Sequence, residues 1–342
     1  MQNKNRFLKV AAMIAALCGV GNAVVPNKTE TTNGPKTCDN LAEVEVFIVG
    51  GGGGGEGGHS RYCMLDEYQG TGSSGGGGAA TWAKLRVPQG STFEIAVGNG
   101  GAGGQYRHTK CGENWGNGLD GQYGRETTVE FTFSAGDITK IIAGGGHGGG
   151  FDVGGENMDG GGAGGTPGIT NYTRVIDSRG VSGNPGSNGQ KKGDNQNITG
   201  GNAGSLENLA SVYLTSFGGG LGGKKNNPAR DPGIGGGGNA QYYNAKGVDG
   251  GIGMALVYVT YLWNVTFNSN GGSPNPSTIS EILNGTRIIE PSKPAKEYHV
   301  FNGWFKNPDC TDKWYFENPV TQSMTLYAGW LDTRYGDTLG VP

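Results

Sequence analysis

Glycine is the residue this chain must fold around: of its 72 glycines, 62 fall between Leu41 and Tyr261. Each costs about 0.5–1 kcal/mol of backbone entropy relative to alanine inside an ordered element. Over the whole stretch the penalty is on the order of tens of kcal/mol. No strict G-X-Y period with abundant proline is present, which excludes collagen. Glycine-rich composition often marks a disordered linker, yet strand-like runs interrupt the glycine here. They lie at Glu43–Val49, Thr81–Val87, Thr92–Val97, Thr127–Phe133, Ile138–Ala143 and Ser211–Phe217. The longest, Gly253–Trp263, is apolar on both faces and suits a central buried strand. Pro88-Gln89-Gly90 reads as a turn, and no segment carries a 3.6-residue apolar stripe.

An ordered domain can offset that entropy only if glycine permits something no other residue can. A polyproline-II-like helix repeats every three residues and makes no internal hydrogen bonds. Its buried amides and carbonyls must then bond to neighbouring chains, and chains without Cβ atoms can approach closely enough to do so. The fold class expected is therefore mainly β, with a glycine-rich β/polyglycine-II domain over 41–263. A plain β-sandwich with glycine-rich loops is the alternative.

Several apparent nucleotide motifs fail on context. Val46–Gly58 reads VFIVGGGGGGEGG, a strand followed by glycines, but the next residues supply no helix whose N-terminus could bind pyrophosphate. Gly218–Lys225 approaches a phosphate loop, with Lys225 where Ser or Thr should hold magnesium. Gly72–Gly76 matches G-x-S-x-G without the strand-turn-helix it requires. His59, His108, His147 and His299 have no nucleophile and orienting partner recognisable around them. No catalytic residue and no cofactor is expected, and an enzyme ranks behind the non-enzymatic readings.

Residues 1–23 have the layout of a secretory signal, with Lys4, Arg6 and Lys9 ahead of the apolar run Val10–Val20. A retained anchor is the alternative, and no later segment is long and apolar enough to span a bilayer. Val24–Asn40 is polar and reads as a linker. Cleavage would remove three of the 26 basic residues and leave 23 against 29 acidic ones, which argues against nucleic acid as a partner. Cys38, Cys63, Cys111 and Cys310 would remain, an even number that in an exported chain suggests disulfides. Cys63 with Cys111 is the first expected pair, since both lie in glycine-flanked polar loops. Zinc held by His59, Cys63, His108 and Cys111 is the weaker alternative.

The strand-then-glycine start VFIVGGGGGGEGG, the run GGGHGGG and the closing GGIGMALVYVTY together resemble glycine-rich adhesins at the tips of T-even phage tail fibres, and glycine-rich domains of bacterial surface proteins. That resemblance implies a rigid stack of polyglycine-II helices whose connecting loops bind a receptor. The loops here have suitable chemistry: Arg61, Tyr62 and Tyr68 in the first, Tyr106, Trp115 and Tyr123 in the second, Tyr242 and Tyr243 in the last. Aromatic and arginine side chains offer contact area with few torsions to immobilise. The same rings could equally pack on a sheet. A surface glycan or protein receptor is the expected partner, and self-association stays open. The five N-x-S/T sites, at Asn27, Asn171, Asn197, Asn264 and Asn284, matter only in a glycosylating host.

From Asn264 the style changes. Val265-Thr266-Phe267, Asn270-Gly271-Gly272, Gly285, Ile288, Pro291, Pro294, Phe301-x-Gly303-Trp304-Phe305, Trp314–Phe316 and Thr325–Trp330 follow in order. This is similar to the Listeria–Bacteroides repeat, the internalin B-repeat family. The resemblance implies a small β-grasp-like module over 264–331, of a kind found in surface proteins, and 332–342 reads as a polar tail. One departure stands out: the family carries glycine three residues before the phenylalanine, where Tyr298 stands here. Phe267, Phe301, Trp304, Phe316, Leu326 and Trp330 form the expected core, each side chain worth about 1.5–3 kcal/mol when buried. With only Leu262–Asn264 between the two parts, a stiff junction is expected. The whole reads as an exported, extracellular or cell-surface binding protein. A structural subunit of an extracellular matrix or filament is the runner-up.

Overall fold

The computed structural model describes residues 28–57, 59–63, 66–110, 120–133, 135–150, 161–188, 190–191, 204–206, 217–218, 232–238 and 246–334. At 59–63, 66–71, 107–110, 190–191, 205–206 and 217–218 the description is of the backbone. The described elements are strands. The first group is β1 (Lys28–Glu30), β2 (Gly34–Thr37), β3 (Ala42–Val49), β4 (His59–Cys63), β5 (Asp66–Thr71), β6 (Ala80–Val87), β7 (Thr92–Ala96) and β8 (Arg107–Lys110). Then come β9 (Thr127–Thr132), β10 (Ile138–Ala143), β11 (Pro167–Ile169), β12 (Val175–Val181), β13 (Gln190–Lys191), β14 (Ser205–Leu206) and β15 (Phe217–Gly218). The last are β16 (Met254–Asn268), β17 (Ile279–Leu283), β18 (His299–Phe305) and β19 (Met324–Asp332). Two compact units result, one of 29–39 with 43–259 and one holding 40–42 and the chain from Thr260 onward.

In the glycine-rich unit two sheets supply the apolar core. One has the order β12-β6-β3-β16, the other β11-β10-β9-β7-β2, and they meet through β6 and β10. Phe47 packs its ring edge-on to Tyr258 at 5.9 Å, and Phe93 lies 5.3 Å from Phe131. β3 and the first nine residues of β16 are buried on almost every side chain, as two-sided burial of a central strand requires. Within this core Glu45 accepts a hydrogen bond from Trp82 Nε1 at 3.3 Å. Burial, with the Glu45 charge nearby, pushes the Tyr258 hydroxyl up to about 12.

Beyond β3, β7 and β10 the chain runs on as glycine-rich segments. Segment 50–56 makes the pattern plain. Gly50, Gly53 and Glu56 donate their amides to Ala79, Gly76 and Ser73. Gly51 and Gly54 donate to Arg125 and Gln122, and Gly52 and Gly55 to Gly251 and Val248. Every third residue thus faces the same neighbour, and all three of those neighbours run antiparallel. The carbonyls of the segment accept from three other chains: Gly51 and Gly54 from Gly146 and Gly149, Gly52 and Gly55 from Gly101 and Gly104, Gly53 from Gly238. Segment 72–79 repeats the scheme, donating in rotation to 182–188, 232–238 and 144–150.

A three-residue repeat with all hydrogen bonds between chains is the arrangement a polyglycine-II packing demands. It explains the composition directly. A Cβ on Gly53 would fall on the carbonyl of His147, and one on Gly52 on the carbonyl of Gly236. Neither neighbour is a movable side chain, so no larger residue fits.

The segment read as a linker is partly built into this unit. β2 pairs antiparallel with β7 at the sheet edge, Cys38 is fully buried, and the Cys38 amide donates to Ser91 at 2.9 Å. An edge strand joins through its backbone, so Gly34-Pro35-Lys36-Thr37 needs no apolar alternation, and proline is tolerated there. Leu262–Asn264, read as the joint between the two parts, lies inside β16. Of the expected strand Ser211–Phe217, only Phe217 is among the described residues, in β15.

In the second unit β16 pairs antiparallel with β17 and parallel with β19, and β19 pairs antiparallel with β18. The order β17-β16-β19-β18 places the first and last strands side by side at the centre. A β-grasp sheet also packs against a helix, and none occurs among the described residues of this unit. Pro291 and Pro294, in the connection between β17 and β18, work against one there. Phe267, Trp304 and Leu326 are buried, with Phe301, Phe316 and Trp330 packed against them. Val265, Ile282, Ile288, Trp314, Val320 and Ala328 complete that core.

Tyr298 adopts φ +55°. The backbone there keeps the left-handed conformation that glycine would favour, and tyrosine carries the strain. Its carbonyl is held by Thr333 through the amide at 2.9 Å and the hydroxyl at 2.8 Å.

Candidate functional site

The hydrogen-bond partners fix the direction of each glycine segment. Segments 50–56, 98–104, 144–150 and 232–238 run away from the two sheets, whereas 72–79, 120–126, 161–166 and 246–253 return toward them. Four connections therefore begin and end at one far end of the array: 57–71, 105–119, 151–160 and 239–245. Their described flanks meet accordingly. Gly104 meets Gly55, Gly121 meets Gly149, Gly162 meets Ser74, Gly238 meets Gly75, and Gly247 meets Gly104.

Glu56 marks this end. The side chain is buried, accepting from the Ser73 amide at 2.9 Å and the Ser73 hydroxyl at 3.3 Å. The one Ser73 hydroxyl proton is shared between that carboxylate and the Gly150 carbonyl, the nearer acceptor at 2.7 Å. A carboxylate takes the place of glycine where the chain leaves the array, and through Ser73 it links three segments. Nearby, Asp249 Oδ1 accepts from the Gly103 amide at 2.8 Å and from Lys246 Nζ at 3.0 Å. The Gly103 amide holds the Asp249 carboxyl below the usual carboxylate range, opposed by partial burial and helped by the Lys246 ammonium.

The expected contact residues fall on or beside this end to different degrees. Tyr106 follows Gly104 closely and is half exposed. Tyr123 is 67 % exposed and meets the His147 ring edge-on at 4.8 Å. Arg61, Tyr62 and Tyr68 belong to the sheet β13-β5-β4-β8, where Arg61 sits opposite Tyr68 and Thr109. Trp115, Tyr242 and Tyr243 lie outside the described residues. So does Cys111, and Cys63 is described in its backbone alone. The register does pair Tyr62 with Lys110, the residues directly before those two cysteines. The side chains of the zinc alternative lie outside the description as well. Cys310, in the other unit, carries a free thiol.

Sequence reasoning missed Glu56 with Ser73, and Tyr123 with His147. Each pair is joined only by the array's packing, for which no sequence spacing gives a signal. Among the described residues no group of histidine, cysteine and carboxylate side chains could hold a metal ion, and no helix is long and apolar enough to cross a membrane.

Comparison with known proteins divides the chain as the units suggest. Residues 263–329 match the Listeria-Bacteroides repeat domain. A 75-residue stretch is 41 % identical to a "Putative Gly-rich membrane protein" of Evansella cellulosilytica, covering 22 % of this chain and 8 % of that protein. A "Putative membrane protein" of the same organism is 40 % identical over 75 residues, 22 % of this chain and 11 % of that one. The chain thus spans a small fraction of the curated relatives it matches. Residues 27–262, most of the chain, match the model of the glycine-rich domain, and the protein belongs to that family.

Proposed function

We propose that this is a non-enzymatic binding protein of the cell surface or extracellular space, with its ligand contacts at the far end of the polyglycine array. The observation that carries this reading is that the described flanks of four connections meet at one end of the hydrogen-bonded array. Three of them hold the expected aromatic and arginine residues other than Tyr123, which lies in the returning segment 120–126. Packed backbone makes a stiff scaffold, and binding residues on loops held by a stiff scaffold lose little entropy on contact. The partner class is a surface glycan or a protein receptor. An envelope location is supported by the repeat family and by relatives named as membrane proteins, and export would use residues 1–23.

Glycan and surface-protein arrays probed with the full chain test the reading. Specific binding that falls at least tenfold in Tyr106→Ala and Tyr123→Ala, with the circular dichroism spectrum unchanged, is the expected result. Binding indifferent to both substitutions removes the array end as the site. Concentration-dependent fibres without any ligand would instead favour a structural subunit.

A further inference from the structure

A four-stranded sheet, β13-β5-β4-β8, stands at the far end of the array. β4 and β5 lie in the connection 57–71 and β8 in 105–119. β13 follows segment 182–188, where Gly183 and Gly186 donate to Gly165 and Gly162. That segment is antiparallel to the returning 161–166, so it too runs outward to this end. Along a strand successive residues take opposite faces, and residues opposite each other in a pair share a face. The unbroken registers of the three pairs therefore sort the residues of the sheet by face.

His59 stands opposite Arg107 of β8 and Gly70 of β5, and Gly70 stands opposite Lys191 of β13. One row thus crosses all four strands as Arg107, His59, Gly70 and Lys191. It covers three strand spacings of about 4.8 Å, roughly 14 Å in all. The next row on that face holds Arg61 opposite Tyr68. Among the described residues of the sheet, three permanent cations, Arg61, Arg107 and Lys191, share this face with one acid, Asp66. On the other face Lys110 and Glu67, both opposite Tyr62, cancel. The chain as a whole carries a net charge of −3, so the positive excess belongs to this face and not to the protein at large.

We propose that this face binds an acidic saccharide, one carrying carboxylate or sulfate groups. Guanidinium suits such anions, since its planar fork of donors matches two oxygens at once. Clustered charge of one sign also raises the local concentration of an oppositely charged ligand. Tyr68 adds an aromatic ring to the same face, and sugar C–H faces suit such rings, whose faces carry partial negative charge. Gly70, without a side chain, leaves a gap in the row between His59 and Lys191. A long polyanion such as nucleic acid would run past a patch of this size onto a chain of net negative charge, so a short ligand is favoured. The inference rests on the array end being the binding site and names the class of ligand it takes.

Calorimetric titration of the full chain with uronic and sulfated oligosaccharides, and with their carboxyl-reduced or desulfated counterparts, tests the proposal. The expected result is saturable binding of at least one acidic member, and which series binds tells carboxylate from sulfate. Its neutral counterpart binds at least tenfold more weakly, and affinity falls as salt rises from about 50 to about 300 mM. Arg61→Gln and Arg107→Gln each weaken binding at least tenfold, while Lys110→Gln on the other face changes it less than twofold. Circular dichroism confirms that each variant is folded. A neutral glycan or a protein whose binding is lost in Tyr106→Ala, yet keeps its strength in Arg61→Gln and Arg107→Gln, overturns the ligand class and leaves the array end as the site. Acidic-saccharide binding that ignores both arginine substitutions, or falls equally in Lys110→Gln, overturns the assignment to this face. Capture of acidic peptides in preference to the saccharides overturns the proposal too. Saturation by no ligand of any class removes both readings.

Discussion

The two units solve the same problem with opposite materials. The C-terminal unit buries rings: Phe267 and Phe301 meet Trp304 edge-on at 5.0 and 5.5 Å, and stability comes from apolar area removed from water. The array has almost no side chains to bury. Its segments hold one another through amides and carbonyls, each turn of three residues serving three neighbours in succession. One unit tolerates changes to backbone hydrogen bonding better than loss of a ring. In the other a single methyl group in the wrong place is the damaging event.

Five substitutions would break or sharpen that contrast. Trp304→Ala should destabilise the C-terminal unit by about 3–5 kcal/mol, read as a shift of its urea transition. Gly53→Ala should cost about 1–3 kcal/mol or more, although it adds only a methyl group, because the added atom meets the His147 carbonyl. Gly150→Ala is its control: there the nearest atom to an added Cβ is Asp120 Cγ at 3.8 Å, and thermal denaturation should change by no more than about 0.5 kcal/mol. Equal effects at the two glycines would mean the array is not close-packed.

Tyr298→Gly should stabilise. It relieves left-handed strain of about 1–2 kcal/mol against about 0.5–1 kcal/mol of added unfolded-state entropy, and calorimetry should show a higher melting temperature. The smallest effect belongs to Asp249. Because its folded carboxyl is more acidic than the unfolded one, its contribution is complete above about pH 4 and fades as pH falls through the folded value. The melting-temperature difference between the native chain and Asp249→Asn should therefore shrink below about pH 4 and stay constant above it.

Much of this was legible in the sequence, for reasons that differ by region. Apolar and β-branched runs beside the glycine tracts announced β3, β6, β7, β9, β10 and β16, because strands that bury one or both faces leave a dense or alternating apolar signal. The repeat could be read from the order of its aromatic and glycine marks, and most of its core rings with it. β2 and β12 could not. Gly34–Thr37 and Val175–Val181 are edge strands with polar or exposed side chains, and backbone pairing leaves no pattern in residue type. The need for interchain hydrogen bonds followed from the glycine content, but not which chain meets which. Glycines are identical letters, and only three dimensions reveal that the Gly53 amide bonds to Gly76 while the next, at Gly54, bonds to Gln122. For the same reason the far end of the array could not be seen as one place.

Amide hydrogen exchange, followed by NMR on glycine-labelled protein, tests the array most directly. With each amide of 50–56 bonded to a neighbouring chain, Gly50–Gly55 should exchange only through global unfolding. Exchange of those amides within minutes at neutral pH, at rates of an unstructured chain, would contradict the packing and everything placed upon it.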